Sequence, residues 1–427
     1  MSRVPHVARE GKKTKVLGEP RIIDKRDYDE MELDARLEVI RSLLPLGLIQ
    51  VYKELDKEVI SLAGERYRRK GDEELGSRHG ANRGTVLLGE QRVPVRVPRV
   101  RRAGREVPLE SYTRLHRGGE PSETLLRRVL YGISCRNYET AAESIPGAIG
   151  LSSSTVSRQF ITASAEQLRR FQERDLSGHD FIAVFLDGKT FADDEMVIAL
   201  GVTIGGEKII LGFVQTATEN KRVVSQFLRS LRDRGLDVGR GVLFVVDGAK
   251  GLRSAILEVF RGRAAIQRCQ WHKRENVVSY LPKKEQSYWR KRLQRAYERP
   301  TYAEAKRELE KILRELKLVN QSAAASLTEG LEETLTLHRL GVFQLLGRSL
   351  KTTNCVESVN SMAEERCGKI DCWKNSSQKH RWLSSALIDI EPRLRKLVGY
   401  RHLPKLRDAL MRNLNINADS KGGEKVA

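Results

Sequence analysis

The chain has 427 residues, room for two or three domains, and carries 77 Lys+Arg against 56 Asp+Glu, a net charge of +21. A basic excess of that size points most simply to a polyanionic partner, although ribosomal or membrane-surface binding carries the same sign. No apolar run nears the ~18 residues of a membrane span. The N-terminal MSRVPHVAREGKKTKVLGEP lacks the apolar core of an export signal, and five cysteines (135, 269, 355, 367, 372) at irregular spacing favour a reduced, cytoplasmic setting over a disulfide framework.

Residues 1–28 read as a flexible basic arm. Leu33, Leu37, Ile40, Leu43 and Leu44 recur at helical spacing, and a second helical stretch runs from Leu48 to Tyr67, with Pro45 expected to separate the two. Residues 84–102 alternate as strands around Gly89-Glu90. Six arginines and no acid lie between Gln91 and Arg105. On a ribbon they line a phosphate track or simply form a solvated face, and both readings stand.

Residues 121–170 are helical again. YETAAESIPGAIGLSSSTVSRQF reads as helix, turn, helix, with Gly147 and Gly150 in the turn and Val156 and Phe160 packed inward. Thr155, Ser157, Arg158 and Gln159 are then left for a groove or for water. A second helix of this kind reaches base edges in helix-turn-helix proteins, and an ordinary helical hairpin is the plainer alternative.

From Gly178 the pattern changes. Phe181–Leu186 reads as a strand, and Met196–Ile204 and Ile209–Gln215 flank the hairpin signal Gly205-Gly206. An amphipathic helix over Lys221–Arg234 is followed by a buried strand at Val242–Val246, a helix at Lys250–Phe260 and a strand at Ala264–Gln267. This order predicts a mixed α/β sheet of the ribonuclease-H kind. From Trp271 to about Leu350 the pattern is helical only, with Leu309, Ile312, Leu313 and Leu316 on one stripe. Lys374–Leu414 is helical and basic, and residues 416–427 form a flexible tail.

Asp187 and Asp247 end the apolar runs IAVFLDG and VLFVVDG, and Glu357 lies in the helix-like TTNCVESVN. Asp-Gly is also an ordinary turn signal. The two aspartates are 60 residues apart, about the length of a hairpin, a third strand and a crossover helix, so a right-handed crossover makes them neighbours. Unpaired carboxylates side by side repel, and a divalent cation with oxygen ligands removes that penalty. Cys269 and His272 are both good zinc ligands but lack a second pair, for which Cys367, Cys372 and His380 are a loose match. Trp271, Trp373 and Trp382 offer stacking faces to an unpaired base or fill a helical core. Asp193, Asp194 and Glu195 read as a solvated turn.

DGK at 187, VVDGAKG at 245–251, CQWH at 269–272, TTNCVESVN at 352–360 and HRWL at 380–383 together resemble the bacterial Mutator-type DDE transposases of insertion sequences. The N-terminal RYRRK, GANRGTV and VPRVR are similar to that family as well. The resemblance spans roughly residues 35–400. It implies a ribonuclease-H-like catalytic core in two parts (176–272 and 351–415), an all-helical insertion between them (273–350), and a mainly helical N-terminal DNA-binding region (29–175). By position, Asp187, Asp247 and Glu357 match the family's metal-binding triad, Cys269 and His272 its Cys-x-x-His signature, and Arg381 and Trp382 its Arg-Trp pair. Cys355 stands where a small residue or proline is expected.

The implied activity is binding of an element's terminal inverted repeats, followed by cleavage and strand transfer with two Mg²⁺ ions, for which Mn²⁺ substitutes. Asp187 would bridge both ions. Two DNA ends held together imply a homodimer or larger assembly at the nucleoid. The competing readings are a ribonuclease-H-like nuclease or resolvase and a domesticated DNA-binding protein.

Overall fold

The computed structural model describes residues 9–10, 13–14, 33–66, 76–88, 91–117, 123–131, 149–150, 153–216 and 220–416. Nearly all of the basic arm, the first helix and turn of the helix-turn-helix reading (132–148), and the tail from 417 lie outside these residues. The chain divides into two compact units, Met1–Leu125 with Ile133–Gln159 and Leu126–Gly132 with Phe160–Ala427.

The first unit packs a helix on a β-hairpin. Helix α1 spans Leu33–Ala63 without a break, so the expected separation at Pro45 does not occur. A proline inside a helix forfeits one backbone bond and bends the axis, and a helix of 31 residues keeps its other bonds on both sides. Val51, Leu55 and Val59 recur every four residues and are buried against Val86, Val93, Val95, Val97 and Val100 of the hairpin.

The hairpin strands are β1 (Ser77–Leu88) and β2 (Gln91–Arg102), so the first begins earlier than the alternation from residue 84 suggested. In β2 the valines at 93, 95 and 97 face inward, while Pro94 and Arg96 face out. The short β3 (Arg105–Val107) pairs only with Val100–Arg102, and β4 (Ile149–Gly150) only with Gln91 and Arg92. Gly150, expected in a turn, is thus part of a strand. Pro94 and Pro98 sit on the edge that β3 and β4 leave uncovered, where a missing N–H costs no ladder bond. On that edge the Arg96 N–H donates instead to the Tyr52 hydroxyl of α1 at 3.3 Å.

Helix α2 (Glu110–Arg117) is capped from a distance, since the Glu58 carboxylate accepts from the backbone N–H of Glu110 (2.6 Å) and Ser111 (2.9 Å). Burial works against the Glu58 charge, but a bond from the Ser111 hydroxyl, with the two backbone bonds, outweighs it and holds its pKa below the usual range. Helices α3 (Glu123–Leu130) and α4 (Ser153–Glu173) follow.

The second unit is built on a five-stranded mixed sheet. Its strands are β5 (Phe181–Phe191), β6 (Asp194–Thr203), β7 (Lys208–Thr216), β8 (Val242–Val246) and β9 (Ala264–Arg268), in the spatial order β9-β8-β5-β6-β7. β5, β6 and β7 form an antiparallel meander, and β8 and β9 lie parallel to β5. Helix α5 (Lys221–Asp233) crosses from β7 to β8 and buries Val224, Phe227, Leu228 and Leu231, the stripe its sequence predicts. Helix α6 (Lys250–Phe260) joins β8 to β9. Both cover one sheet face, where Val184, Leu186, Phe244 and Val246 point. There Phe244, fully buried, stacks on Phe260 of α6 with ring centroids 5.0 Å apart. The other face, with Ile182, Phe185, Leu243 and Val245, lies under C-terminal helices. Strands buried on both faces have no polar alternation, which explains their continuous apolar runs.

Residues 270–350 are helical throughout, as expected. Helices α7 (Gln270–Ser279), α8 (Lys283–Tyr297), α9 (Tyr302–Val319) and α10 (Gln321–Thr328) share a separate core around Val277, Leu293, Leu309, Ile312 and Leu316. Three short helices, α11 (Leu331–Thr334), α12 (Thr336–Arg339) and α13 (Phe343–Leu350), lead back toward the sheet. Helices α14 (Asn354–Cys367), α15 (Ser376–Ile390) and α16 (Leu403–Asn413) complete the unit. Ile416, assigned to the tail from sequence, is buried.

Candidate active site

Strands β5 and β8 are paired in register, Leu243 with Ala183 through Val246 with Leu186. The next residue in each segment is an aspartate, so Asp187 stands beside Asp247 at the point where β8 ends. Neighbouring strands lie about 4.8 Å apart, which makes the two carboxylates close neighbours. Asp187 does not end its strand, as the sequence suggested. β6 pairs with β5 on to Phe191, and Asp187 lies midway, opposite Ile198 and 6% exposed.

After Asp247 the chain turns sharply. The Asp247 Oδ1 accepts from the Ala249 N–H at 3.0 Å, the turn role that Asp-Gly ordinarily signals. Gly248 has φ +113°, and a Cβ there would fall 2.0 Å from the Arg268 Nε. Only glycine fits this crossing of the buried Arg268 side chain.

Glu357 arrives on α14, which lays Val356, Val359 and Ala363 against the sheet. One turn after Glu357, Asn360 is 3% exposed and donates from Nδ2 to the Asp187 Oδ2 at 2.9 Å. Its Oδ1 is buried without a hydrogen-bond partner. Nothing in the sequence singled out Asn360. The available signal was its spacing of three from Glu357, which puts both side chains on one helix face.

The electrostatics follow from this convergence. Burial first, then the charges of Asp247 and Glu357, raise the Asp187 pKa to about 7, against opposing pulls from His272 and Lys189. The three acidic groups therefore share one field, although Asp187 and Glu357 are 170 residues apart in the chain. Among the described residues, no three His, Cys, Asp or Glu side chains stand as a ready-made ligand group for a metal ion.

Cys269 continues the parallel ladder past β9, its N–H donating to the Val246 carbonyl at 2.7 Å, and it caps α7 by accepting from the His272 N–H. Thr353, fully buried, connects the parts. Its hydroxyl lies 3.5 Å from the Cys269 sulfur and 3.3 Å from His272 Nδ1, and it donates to Glu357 Oε1 at 2.5 Å. His272 Nε2 is 4.0 Å from the same carboxylate oxygen. The bond to Cys269 is the main cause that lifts the His272 pKa to about 9. Burial opposes it, and the Cys269, Glu357 and Asp247 charges add to it. Burial pushes the Cys269 thiol up, but bonds from His272 and Thr353 leave it below its ordinary value. The second zinc pair weighed from sequence is dispersed: Cys367 is in the core, Cys372 is exposed, and His380 bonds to Gln215 at 2.8 Å.

The remaining candidates have partners of their own. Trp382 is partly buried against Phe160, with ring centroids 4.6 Å apart, and Trp373 meets Phe191 at 5.3 Å. Arg381 donates to the Ser377 hydroxyl at 2.7 Å. On α4, Val156 and Phe160 are buried as expected, Thr155 and Ser157 are partly exposed, and Arg158 is exposed. Asp194, expected in a solvated turn, begins β6 and pairs with Lys379 at 2.6 Å.

Gly248→Ala drives a Cβ into Arg268 and is expected to lower the thermal midpoint of the second unit by several degrees in scanning calorimetry. For Asp187 the folded pKa stands above its unfolded value, so the folded state binds the extra proton. Its contribution is fully present below about pH 4 and is lost as pH rises toward about 7. Denaturation of metal-free protein should therefore show stability falling across that window, and Asp187→Asn should flatten this part of the slope.

Residues 24–393 match the family described as Transposase, Mutator family. The chain is 28% identical over 386 residues to the transposase for insertion sequence element ISRM5 of Rhizobium meliloti (strain 1021), covering 88% of this chain and 92% of the relative. It is 29% identical over 245 residues to the transposase for IS6120 of Mycolicibacterium smegmatis, covering 56% and 74% of the two chains. It is 26% identical over 286 residues to the transposase for IS256 in transposon Tn4001 of Staphylococcus aureus, covering 62% and 69%. With the family match extending over most of its length, the chain belongs to the Mutator family of transposases.

Proposed function

We propose that this chain cleaves and joins DNA at the ends of an insertion sequence, with Asp187, Asp247 and Glu357 as its catalytic carboxylates. The observation that carries this reading is the in-register pairing of β5 with β8, which sets Asp187 beside Asp247 within the field of Glu357. The strand order β9-β8-β5-β6-β7, with three antiparallel strands and two parallel ones, supports a ribonuclease-H-like core, and residues 273–350 are its helical insertion.

The donor set suits a hard divalent cation such as Mg²⁺ or Mn²⁺. Three carboxylates offer only oxygen, and the unpartnered Asn360 Oδ1 adds another buried oxygen at the same place. Since these side chains do not form a ligand group as they stand, gripping an ion requires them to turn toward it. When bound, a pair of such ions supplies an activated oxygen nucleophile and neutralises charge at the leaving 3′-oxygen. The protein's own residues do the positioning. Asn360 fixes the Asp187 carboxylate, Thr353 fixes that of Glu357, and protonated His272 steadies the surplus negative charge.

DNA is held by the basic N-terminal region, proposed here as residues 29–175, including the arginines of β2 and Thr155, Ser157 and Arg158 of α4. Arg381 and Trp382 are further candidate DNA-binding side chains. Transposition joins two ends to a target, so the working form is a homodimer or larger.

Asp187→Asn, Asp247→Asn and Glu357→Gln are each expected to abolish cleavage and strand transfer in Mg²⁺ while gel-shift binding of end DNA persists. Normal strand transfer by any one of them sinks the assignment. Asn360→Ala is expected to reduce cleavage about 10- to 100-fold, the usual effect of losing a group that orients a metal ligand. Replacing Arg92 and Arg96 with alanine should lower the slope of log affinity against log salt by about 1 for each phosphate left without its arginine.

A further inference from the structure

Next to the carboxylates, the start of α7, the end of α8 and the segment Lys351–Thr352 enclose a cavity of about 170 Å³. We propose that it receives one nucleobase unstacked from a DNA strand whose backbone lies at the carboxylates. The inference rests on the reading of those carboxylates as the DNA-cleaving centre.

Trp271 lines the cavity and is 46% exposed, a large apolar surface left in water. It is held edge-on to His272, with centroids 4.8 Å apart and planes at 74°, so its indole is oriented before any ligand arrives. Such a face stacks on any base. One wall is polar and already ordered. Arg274 Nη1 donates to Gln294 Oε1 at 3.3 Å, and Gln294 Nε2 donates to Glu298 Oε1 at 2.9 Å. These groups offer both donors and acceptors to a base edge, which an apolar peptide side chain could not use. Arg274, which also pairs with Glu275 at 3.1 Å, and Lys351 bring cationic groups to the cavity, which suits a phosphate-bearing ligand.

The cavity is anchored to the site. The Gln270 N–H donates to the Lys351 carbonyl at 2.9 Å, and its side chain donates to the Thr334 carbonyl at 2.9 Å. Trp271 and Thr352 each adjoin, in the chain, a residue that contacts Glu357, namely His272 and Thr353. The cavity lining is therefore continuous in the chain with the residues that hold Glu357.

The test compares the full-length protein's affinity, by fluorescence anisotropy, for a single-stranded oligodeoxynucleotide and for a strand of equal length built wholly of abasic residues. The two carry the same phosphates. Wild type is expected to prefer the base-bearing strand by about ten-fold. Trp271→Leu should remove most of that preference with abasic binding unchanged, and Trp271→Phe should keep most of it. Gln294→Trp, which fills the cavity from an exposed position, should also remove it, so a poorly folded Trp271→Leu leaves the question decidable. No base preference in wild type, or a preference undiminished by filling the cavity, overturns the proposal. Asp187→Asn is run in parallel. Normal cleavage by that variant defeats the carboxylate reading, whereas its base preference reports on the cavity alone.

Discussion

Repulsion between the buried Asp187 and two partly buried acids beside it is the constraint around which the second unit is arranged. Burial in the sheet core, and then the charges of Asp247 and Glu357, raise the Asp187 pKa to about 7. A stable fold rarely collects like charges at a low-dielectric position, because each one penalises the others. The fold tolerates this by holding each group with a specific partner. Asn360 donates to Asp187, the Ala249 N–H to Asp247, and Thr353 to Glu357. The cost is the kind stored at sites that do chemistry, where an opposite charge is supplied by a ligand.

Helix α14 is the joint between the two parts of this arrangement. Its apolar face is committed to the sheet through Val356, Val359 and Ala363. That commitment orients Glu357 and Asn360 toward Asp187. At its start, Thr353 touches Cys269 and His272, which belong to the end of β9 and the beginning of α7. Through Thr353, Cys269 and His272 therefore link the end of the sheet to the returning helix. The helices of residues 270–328 have their own core, separate from those on the sheet, and the first of them wall the cavity beside the carboxylates.

The first unit solves a different problem. Its hairpin keeps valines inward against α1, while Arg96 and Arg102 of β2 are exposed. Part of the unit's charge is internally tied, since Arg99 makes two bonds to Glu106 and Arg78 pairs with Asp56. Arg92 and Arg96 project from the opposite face to the buried valines.

Much of this was legible in the residues themselves. The runs at Phe181–Leu186, Val242–Val246 and Ala264–Gln267, the Gly205-Gly206 hairpin and the stripe of α5 all mark local elements, because burial and turn chemistry act over a few residues. The helical character of 270–350 was legible for the same reason. Other features required the tertiary fold. The continuation of β5 past Asp187 depends on its partner β6. The partial burial of Trp382 was not readable, since its neighbour Phe160 lies 222 residues earlier. Asn360 looked like any polar helix residue until α14 was docked on the sheet. Sequence determines which side chains a segment offers and on which face, through periodicity and propensity. Which of those faces meet, and therefore which charges share a field, is decided only when distant segments pack, because Coulomb energy and desolvation depend on distance in space.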